Sequence, residues 1–337
     1  PMFTYLLAAL VAFALMLVLG PLFIPLLHRL KFGQVEREEG PASHKKKQGT
    51  PTMGGVIFLI AILITTLLFG LDGAAFTLPA LLTMAVCGLV GFLDDFIKVR
   101  LHRNLGLRAY QKIIAQFGIA FVIAFWAYRS PFIGSTLYLP FSGGSWDLGG
   151  WYIPAMMFVV IAEINAVNLT DGLDGLSSSV TLIYALFMAV LFAVLASRAT
   201  ALGEVLYGVN LNSMAVFSMA IVGALLGFLC FNSYPAKVFM GDTGSLALGG
   251  VVAVLAICSR SVLVLPIMGI CFVGSALSVV LQVGSYKLRH GKRIFKMAPL
   301  HHHFELSGMH EAKIVSMYSI VTAVCSALCV LLYLIPR

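Results

Sequence analysis

Carboxylates at the ends of apolar runs, each beside glycine or lysine, are the groups in this chain best suited to chemistry. Asp94 and Asp95 adjoin in GFLDDFIKVR, Asp171 and Asp174 each precede a glycine in NLTDGLDGLSSS, and Asp242 lies in GDTGS. Carboxylate oxygens suit hard cations, and Mg²⁺ typically binds through one or two carboxylates plus substrate phosphates. If the helix through Asp94 continues, Lys98 four residues on shares its face, whereas the two adjacent carboxylates diverge by about 100°. The stretch 241–245 stands just ahead of a helix-like run, so backbone N–H groups and the positive end of the helix dipole face the loop, a place for phosphate oxygens. Asp242 among those donors would repel an anion unless a divalent cation bridged them. The plainer alternatives are a helix cap at Asp242, a solvated ion pair at Asp94 and Lys98, and a turn capped by Ser177 after Asp174.

Three further polar groupings accompany them. Glu163, Asn165 and Asn168 fall within or at the end of an apolar run, and polar groups at membrane depth mark functional sites. His301, His302 and His303 are consecutive and internal. They point in different directions, and the Cys/His spacing of zinc sites is absent, so phosphate contacts or proton transfer suit them better than one metal site. A solvated histidine run is the alternative. HKKKQGTPTMGG, 44–55, sets basic residues before a helix start at Pro51; it reads either as a patch on anionic lipid or, from Gly54 and Gly55, as a place of close packing or backbone access.

The elements that must position these groups are membrane helices. Hydrophobic residues make up 60% of the chain and charged ones 11%, with mean hydropathy +0.98, far from soluble domains in which about a quarter of residues are charged. Pro1 ahead of Met2 reads as an expression scar, and the first run is too long for a cleaved signal and lacks its basic flank. A hydrocarbon core of about 30 Å needs some 20 apolar residues per helix, which predicts ten segments: 3–27, 53–71, 75–93, 112–128, 151–168, 177–197, 212–230, 244–259, 262–286 and 313–335. No fixed repeat or linker divides them, so 1–337 reads as one polytopic domain. Loops 28–52, 94–112, 231–243 and 286–313 hold 18 of the 22 Lys/Arg, leaving Arg129, Arg198, Arg260 and Arg337 opposite. The positive-inside rule then puts both termini outside and the basic loops in the cytosol, with Asp94, Asp95, Asp171, Asp174, Asp242 and all eight histidines on that side. Residues 129–150 predict a small outer β-hairpin beginning at Thr136–Phe141. The six cysteines lie in or beside apolar segments without ligand spacing, as packing residues.

GTPTMGG (49–55), DDFIK (94–98), NLTDGLDGL (168–176), FNSYPAKVFMGDTGSLALGG (231–250) and APLHHHFEL (298–306) occur in the order found in the polyprenyl-phosphate N-acetylhexosamine-1-phosphate transferases. The chain resembles that family over nearly its whole length, and GTPTMGG with PLHHHFE resembles its peptidoglycan branch. One departure is Met309, where the family usually has tryptophan. The resemblance implies an all-α integral membrane protein of ten helices in a bacterial cytoplasmic membrane, its site facing the cytosol. It implies transfer of phospho-MurNAc-pentapeptide from UDP-MurNAc-pentapeptide to undecaprenyl phosphate, with release of UMP. It further implies Mg²⁺ on Asp242, Asp94 deprotonating or guiding the acceptor phosphate, and Asp95 in support. Asp171, Asp174, Asn232 and Phe239 match metal-proximal and nucleoside-pocket positions, with Phe239 as a face for uracil. Lys47, Thr52, Lys98, His301 and His302 match positions holding phosphate or sugar, with His301 also counted as catalytic and Asn168 among the substrate contacts. Nucleoside antibiotics are implied as inhibitors and nucleic acid is not a partner; a homodimer is left open. A sister transferase for UDP-GlcNAc and, from another class, a secondary transporter are the alternatives.

Overall fold

The computed structural model describes residues 1–29, 49–101, 106–140 and 143–334. Apolar runs in lipid find no water for their backbone N–H and C=O groups, so they close those bonds within helices. The helices are α1 (Met2–Arg29), α2 (Gly55–Phe69), α3 (Ala74–Arg100), α4 (Ala109–Arg129), α5 (Tyr152–Thr170), α6 (Leu176–Ala201), α7 (Val205–Asn232), α8 (Gly241–Cys258), α9 (Leu265–Met268), α10 (Ile270–Leu288), α11 (Leu300–Glu305) and α12 (Glu311–Leu334). Among the described residues nine of them are long and apolar enough to cross a membrane: α1, α3 to α8, α10 and α12.

Two of the ten expected segments differ from expectation. Segment 53–71 yields α2 of only 15 residues, about 22 Å at 1.5 Å per residue, followed by a tight turn at Leu71–Gly73. Segment 262–286 is interrupted: a turn at Val262–Val264 leads into α9, and Gly269 separates α9 from α10. Pro266, at the start of α9, has no N–H to extend a helix from upstream.

The short, glycine-rich eighth segment is the centre of the bundle, and every residue of α8 from Thr243 to Cys258 is buried. Lipid tails are as apolar as leucine, so helices associate through close van der Waals contact, and small residues permit it. A Cβ on Gly249 would fall 2.5 Å from the Ile164 Cα of α5, and one on Gly250 would fall 2.7 Å from Cys87 Sγ of α3. The tightest approach to α8 is at Gly91 of α3, where a Cβ would lie 2.1 Å from the Asp242 carbonyl oxygen. That glycine brings the acidic end of α3 against the first turn of α8.

At the far end of the bundle the expected hairpin forms from β1 (Thr136–Tyr138) and β2 (Ser145–Asp147), antiparallel with Leu137 opposite Trp146. Arg260, just beyond α8, pins it: its guanidinium lies 4.4 Å from the Tyr138 ring centre and its carbonyl accepts the Tyr138 N–H at 3.1 Å.

Gly91→Ala should lower the thermal unfolding temperature, because overpacking of this kind costs about 1–3 kcal/mol. Gly118→Ala, where a Cβ meets nothing within 4 Å, should leave it unchanged or slightly raised. Unfolding followed by intrinsic fluorescence in detergent checks both, and equal behaviour of the two variants would contradict the packing described.

Candidate active site

Helix ends converge where α3 finishes and α8 begins. Asp94 and Asp95 occupy the last turns of α3 and project differently, as adjacent helical residues must. Asp95 reaches the start of α8: its Oδ1 accepts the Asp242 N–H at 3.1 Å, and its Oδ2 accepts the Thr243 N–H at 2.9 Å and the Thr243 hydroxyl at 2.8 Å. One helix thus caps another, satisfying first-turn donors that lack intrahelical partners. This corrects the expectation that those donors await phosphate oxygens, since two of them already serve Asp95.

Asp94 is fully buried. Its Oδ2 lies 2.6 Å from Lys98 Nζ and 3.0 Å from Lys112 Nζ, and its Oδ1 accepts the Leu107 N–H at 2.7 Å. Gly106 covers it so closely that a Cβ there would come within 2.5 Å of Oδ1. Asp242 is the most open of the three carboxylates, its side chain 17% exposed. Its Oδ2 accepts from Lys98 at 2.9 Å and Lys112 at 2.7 Å, while its Oδ1 accepts from Asn168 Nδ2 at 2.9 Å. Asn168 also donates to Ser245 Oγ at 2.8 Å. Oxygens of Asp94, Asp95 and Asp242 all lie within 4.8 Å of one another. Three carboxylates against two ammonium groups leave an excess negative charge, and the donors are all hard oxygens. The cluster therefore fits a hard divalent cation that takes its other ligands from phosphate or water.

The remaining expected residues divide into those that line this junction and those that shape the loops around it. Thr52 is buried beside the Asp95 carboxylate; a Cβ on Gly241 would fall 2.7 Å from Thr52 Oγ1 and 2.5 Å from Asp95 Oδ2. Gly54 and Gly55 donate to the carbonyls of Phe239 and Met240 at 2.8 and 3.0 Å, and the Phe239 N–H returns to Pro51 at 2.8 Å. Phe239 is half-buried there. The 49–55 motif is thus the close-packing kind.

Asp174 and Asn232 are buried and bonded within the protein. Asp174 accepts the Ala236 N–H at 2.9 Å while its own N–H goes to Glu311 at 2.6 Å; Asn232 accepts from Ser178 at 2.9 Å and donates to the Val238 carbonyl at 2.9 Å. Both therefore act first on the conformation of the loop carrying Phe239. Ser177 does not cap a turn; it lies buried inside α6, which starts at Leu176 after Gly175 at φ +74°. Asp171 is half-buried. Desolvation, then the charges of Asp242, Asp95 and Asp174, push its carboxyl pKa well above the usual range. His301 and His302 are brought to the same loop on α11, where a Cβ on Gly172 would come within 2.2 Å of His301 Nε2 and 3.1 Å of His302 Nε2. His302 Nδ1 sits 3.2 Å from Glu305 Oε2. Lys47, with its basic run, lies outside the described residues.

Residues 77–260 match the model of glycosyl transferase family 4, and 47–59 match phospho-N-acetylmuramoyl-pentapeptide-transferase signature 1. The chain is 51% identical to the phospho-N-acetylmuramoyl-pentapeptide-transferase of Clostridium novyi, covering 94% of this chain and 93% of that one. It is 49% identical to that of Clostridioides difficile, with 94% of each covered. Against that of a Thermoanaerobacter species the identity is 48%, over 94% of this chain and 95% of the relative. The chain belongs to the phospho-N-acetylmuramoyl-pentapeptide transferase family. With that family shown, the transporter alternative falls away.

Sequence reasoning passed over Lys112, Thr243, Ser245 and Glu311. Lys112 had a signal, a lone cation one turn into an apolar helix, but its partners are 18 and 130 residues distant. Asp95→Asn should cost about 1–2 kcal/mol of stability, since it weakens both a cap and a charge at the positive end of α8. Asp242→Asn leaves that cap in place and should unfold nearer the parent temperature. Identical unfolding temperatures for the two variants would remove the capping role from Asp95.

Proposed function

We propose that the chain transfers phospho-MurNAc-pentapeptide from UDP-MurNAc-pentapeptide to undecaprenyl phosphate, giving undecaprenyl-pyrophosphoryl-MurNAc-pentapeptide and UMP at the cytosolic face of a bacterial membrane. The observation that carries this reading is the meeting of Lys98 and Lys112 with Asp94 and Asp242 at one end of a membrane-spanning bundle. One reactant is soluble and the other is anchored in lipid, and both bring phosphates. A helix-end junction of this kind suits both. The concentration of Lys/Arg in four loops supports a cytosolic location, with both termini outside if α2 and its adjoining turn complete a tenth crossing.

Asp242, with Asp94 behind it, would hold Mg²⁺, whose contribution is to offset charge on the pyrophosphate oxygens. Lys98 and Lys112 supply fixed positive charge to the same oxygens, and catalysis of this type depends mainly on positioning and charge stabilisation. Phe239 offers its ring to uracil, on a loop that Asp174 and Asn232 hold in shape. Thr52, Lys47, Asp171, His301 and His302 complete the phosphate, sugar and nucleoside contacts. In the direct reaction an oxygen of the acceptor phosphate attacks the sugar-linked phosphorus, and the bridging bond to UMP breaks. Asp94 is covered by Gly106 and Leu107 and paired with two ammonium groups. That environment suits a guide for the lysines better than a nucleophile or an open base.

Asp242→Asn should abolish Mg²⁺-dependent UMP release while the protein stays folded, because an amide conserves volume but is a poor Mg²⁺ ligand. The assay uses undecaprenyl phosphate with UDP-MurNAc-pentapeptide, and UDP-GlcNAc as the contrasting donor. Activity within about tenfold of the parent at saturating Mg²⁺, a loss of under 1.4 kcal/mol, would reduce Asp242 to a structural role.

Direct attack also predicts that enzyme stripped of prenyl phosphate exchanges no labelled UMP into UDP-MurNAc-pentapeptide. A stoichiometric UMP burst and lipid-free exchange, both lost in Asp94→Asn, would instead establish a covalent aspartyl route.

A further inference from the structure

Lys112 reaches the reaction centre from α4, a helix that the bundle holds loosely. Its buried residues are Gln116, Ala120, Ile123, Ala124 and Ala127, while Ile113, Ile114, Phe117, Phe121 and Phe125 are exposed to the lipid side. Counting from the N-terminus of α4, Gln116 is the first buried side chain, 2% exposed. It faces Asn165 of α5, and the two amides bond reciprocally: Asn165 Nδ2 donates to Gln116 Oε1 at 2.8 Å, and Gln116 Nε2 donates to Asn165 Oδ1 at 3.4 Å. A second bond from Asn165 Nδ2 to the Ile161 carbonyl, at 2.7 Å, orients the asparagine.

The spacing links this pair to the site. Lys112 and Gln116 are four residues apart on α4, and Asn165 and Asn168 are three apart on α5, so each couple shares a face. Gln116 and Asn165 therefore form a rung between the helices, while Lys112 and Asn168 grip a common target: Lys112 on Asp242 Oδ2 and Asn168 on Asp242 Oδ1. Apolar contacts between α4 and α5 would tolerate a slide or a rotation. Two amides in an apolar interior have one register that satisfies both, and slippage strands them at a cost.

We propose that the Gln116–Asn165 pair is a positioning device that fixes the register of α4 on α5 and thereby sets the Lys112 ammonium on Asp242. The consequence for turnover rests on the reaction proposed above; the consequence for Lys112 does not.

The full-length purified protein carries Gln116→Leu, or the exchange Gln116→Asn with Asn165→Gln, which conserves the combined side-chain length. Misplacement of a charged group should lower kcat about ten- to a hundredfold, with KM for UDP-MurNAc-pentapeptide changed less than kcat. The exchange should recover most of the loss. In a Lys112→Met background Gln116→Leu should add little, because both act through one ammonium group. Independently of turnover, acetylation of Lys112 read by mass spectrometry, with exposed Lys287 as internal standard, should quicken in Gln116→Leu and return to the parent rate in the exchange. Unchanged Lys112 labelling, or an equal loss of kcat with and without Lys112, overturns the proposal, even if the unfolding temperature falls. Quickened labelling in a protein that releases no UMP would uphold the positioning role and count against the reaction alone.

Discussion

A helix that begins inside an apolar bundle must find acceptors for its first N–H groups, and α8 finds them in a carboxylate from another helix. Asp95 takes the donors of Asp242 and Thr243, so the last turn of α3 and the first turn of α8 are joined by charge-assisted bonds with little freedom of rotation. Once that joint is made, Asp242 meets Lys98 and Lys112 with one oxygen, and Asn168 closes on the other. The joint exists only because Gly91 and Gly241 carry no side chain at the contact. Backbone approach, cap and carboxylate orientation are one arrangement.

The loops around the joint are organised by the same economy of polar groups. Asp174, Asn232, Ser178 and Glu311 spend their hydrogen bonds on backbone and on each other, and what they stabilise is the path of 233–240. The glycines at 54 and 55 then allow the 49–55 motif to pair with Phe239 and Met240. Gly172 lets the histidine helix settle onto the aspartate loop. Segments far apart in the chain are thus brought together chiefly by backbone contact.

Local features of this architecture were legible in the sequence. Asp94 and Lys98 share a face as their spacing requires, the hairpin begins at Thr136, and the glycine motifs mark close approach. Features that depend on distant partners were not. Nothing near Asp95 reveals that its acceptors serve α8, 147 residues away, and this is why the first-turn donors read as open to phosphate. Lys112 belongs to no motif; its role arises from how α4 packs. Hydropathy counts also smooth over breaks, so Pro266 and Gly269 interrupt a run that reads as continuous, and α2 proves shorter than its apolar stretch.

Lys98 and Lys112 both donate to Asp242 Oδ2, an oxygen for which a divalent cation held by Asp242 would compete. Ammonium groups displaced by such a cation would be free to turn towards phosphate. Phosphate that drew the lysines away would in turn bare the oxygen for the cation. By reciprocity of binding free energies, each ligand would then raise affinity for the other by the same factor. The carboxylate–lysine junction would therefore couple cation loading to occupancy by a phosphate-bearing donor.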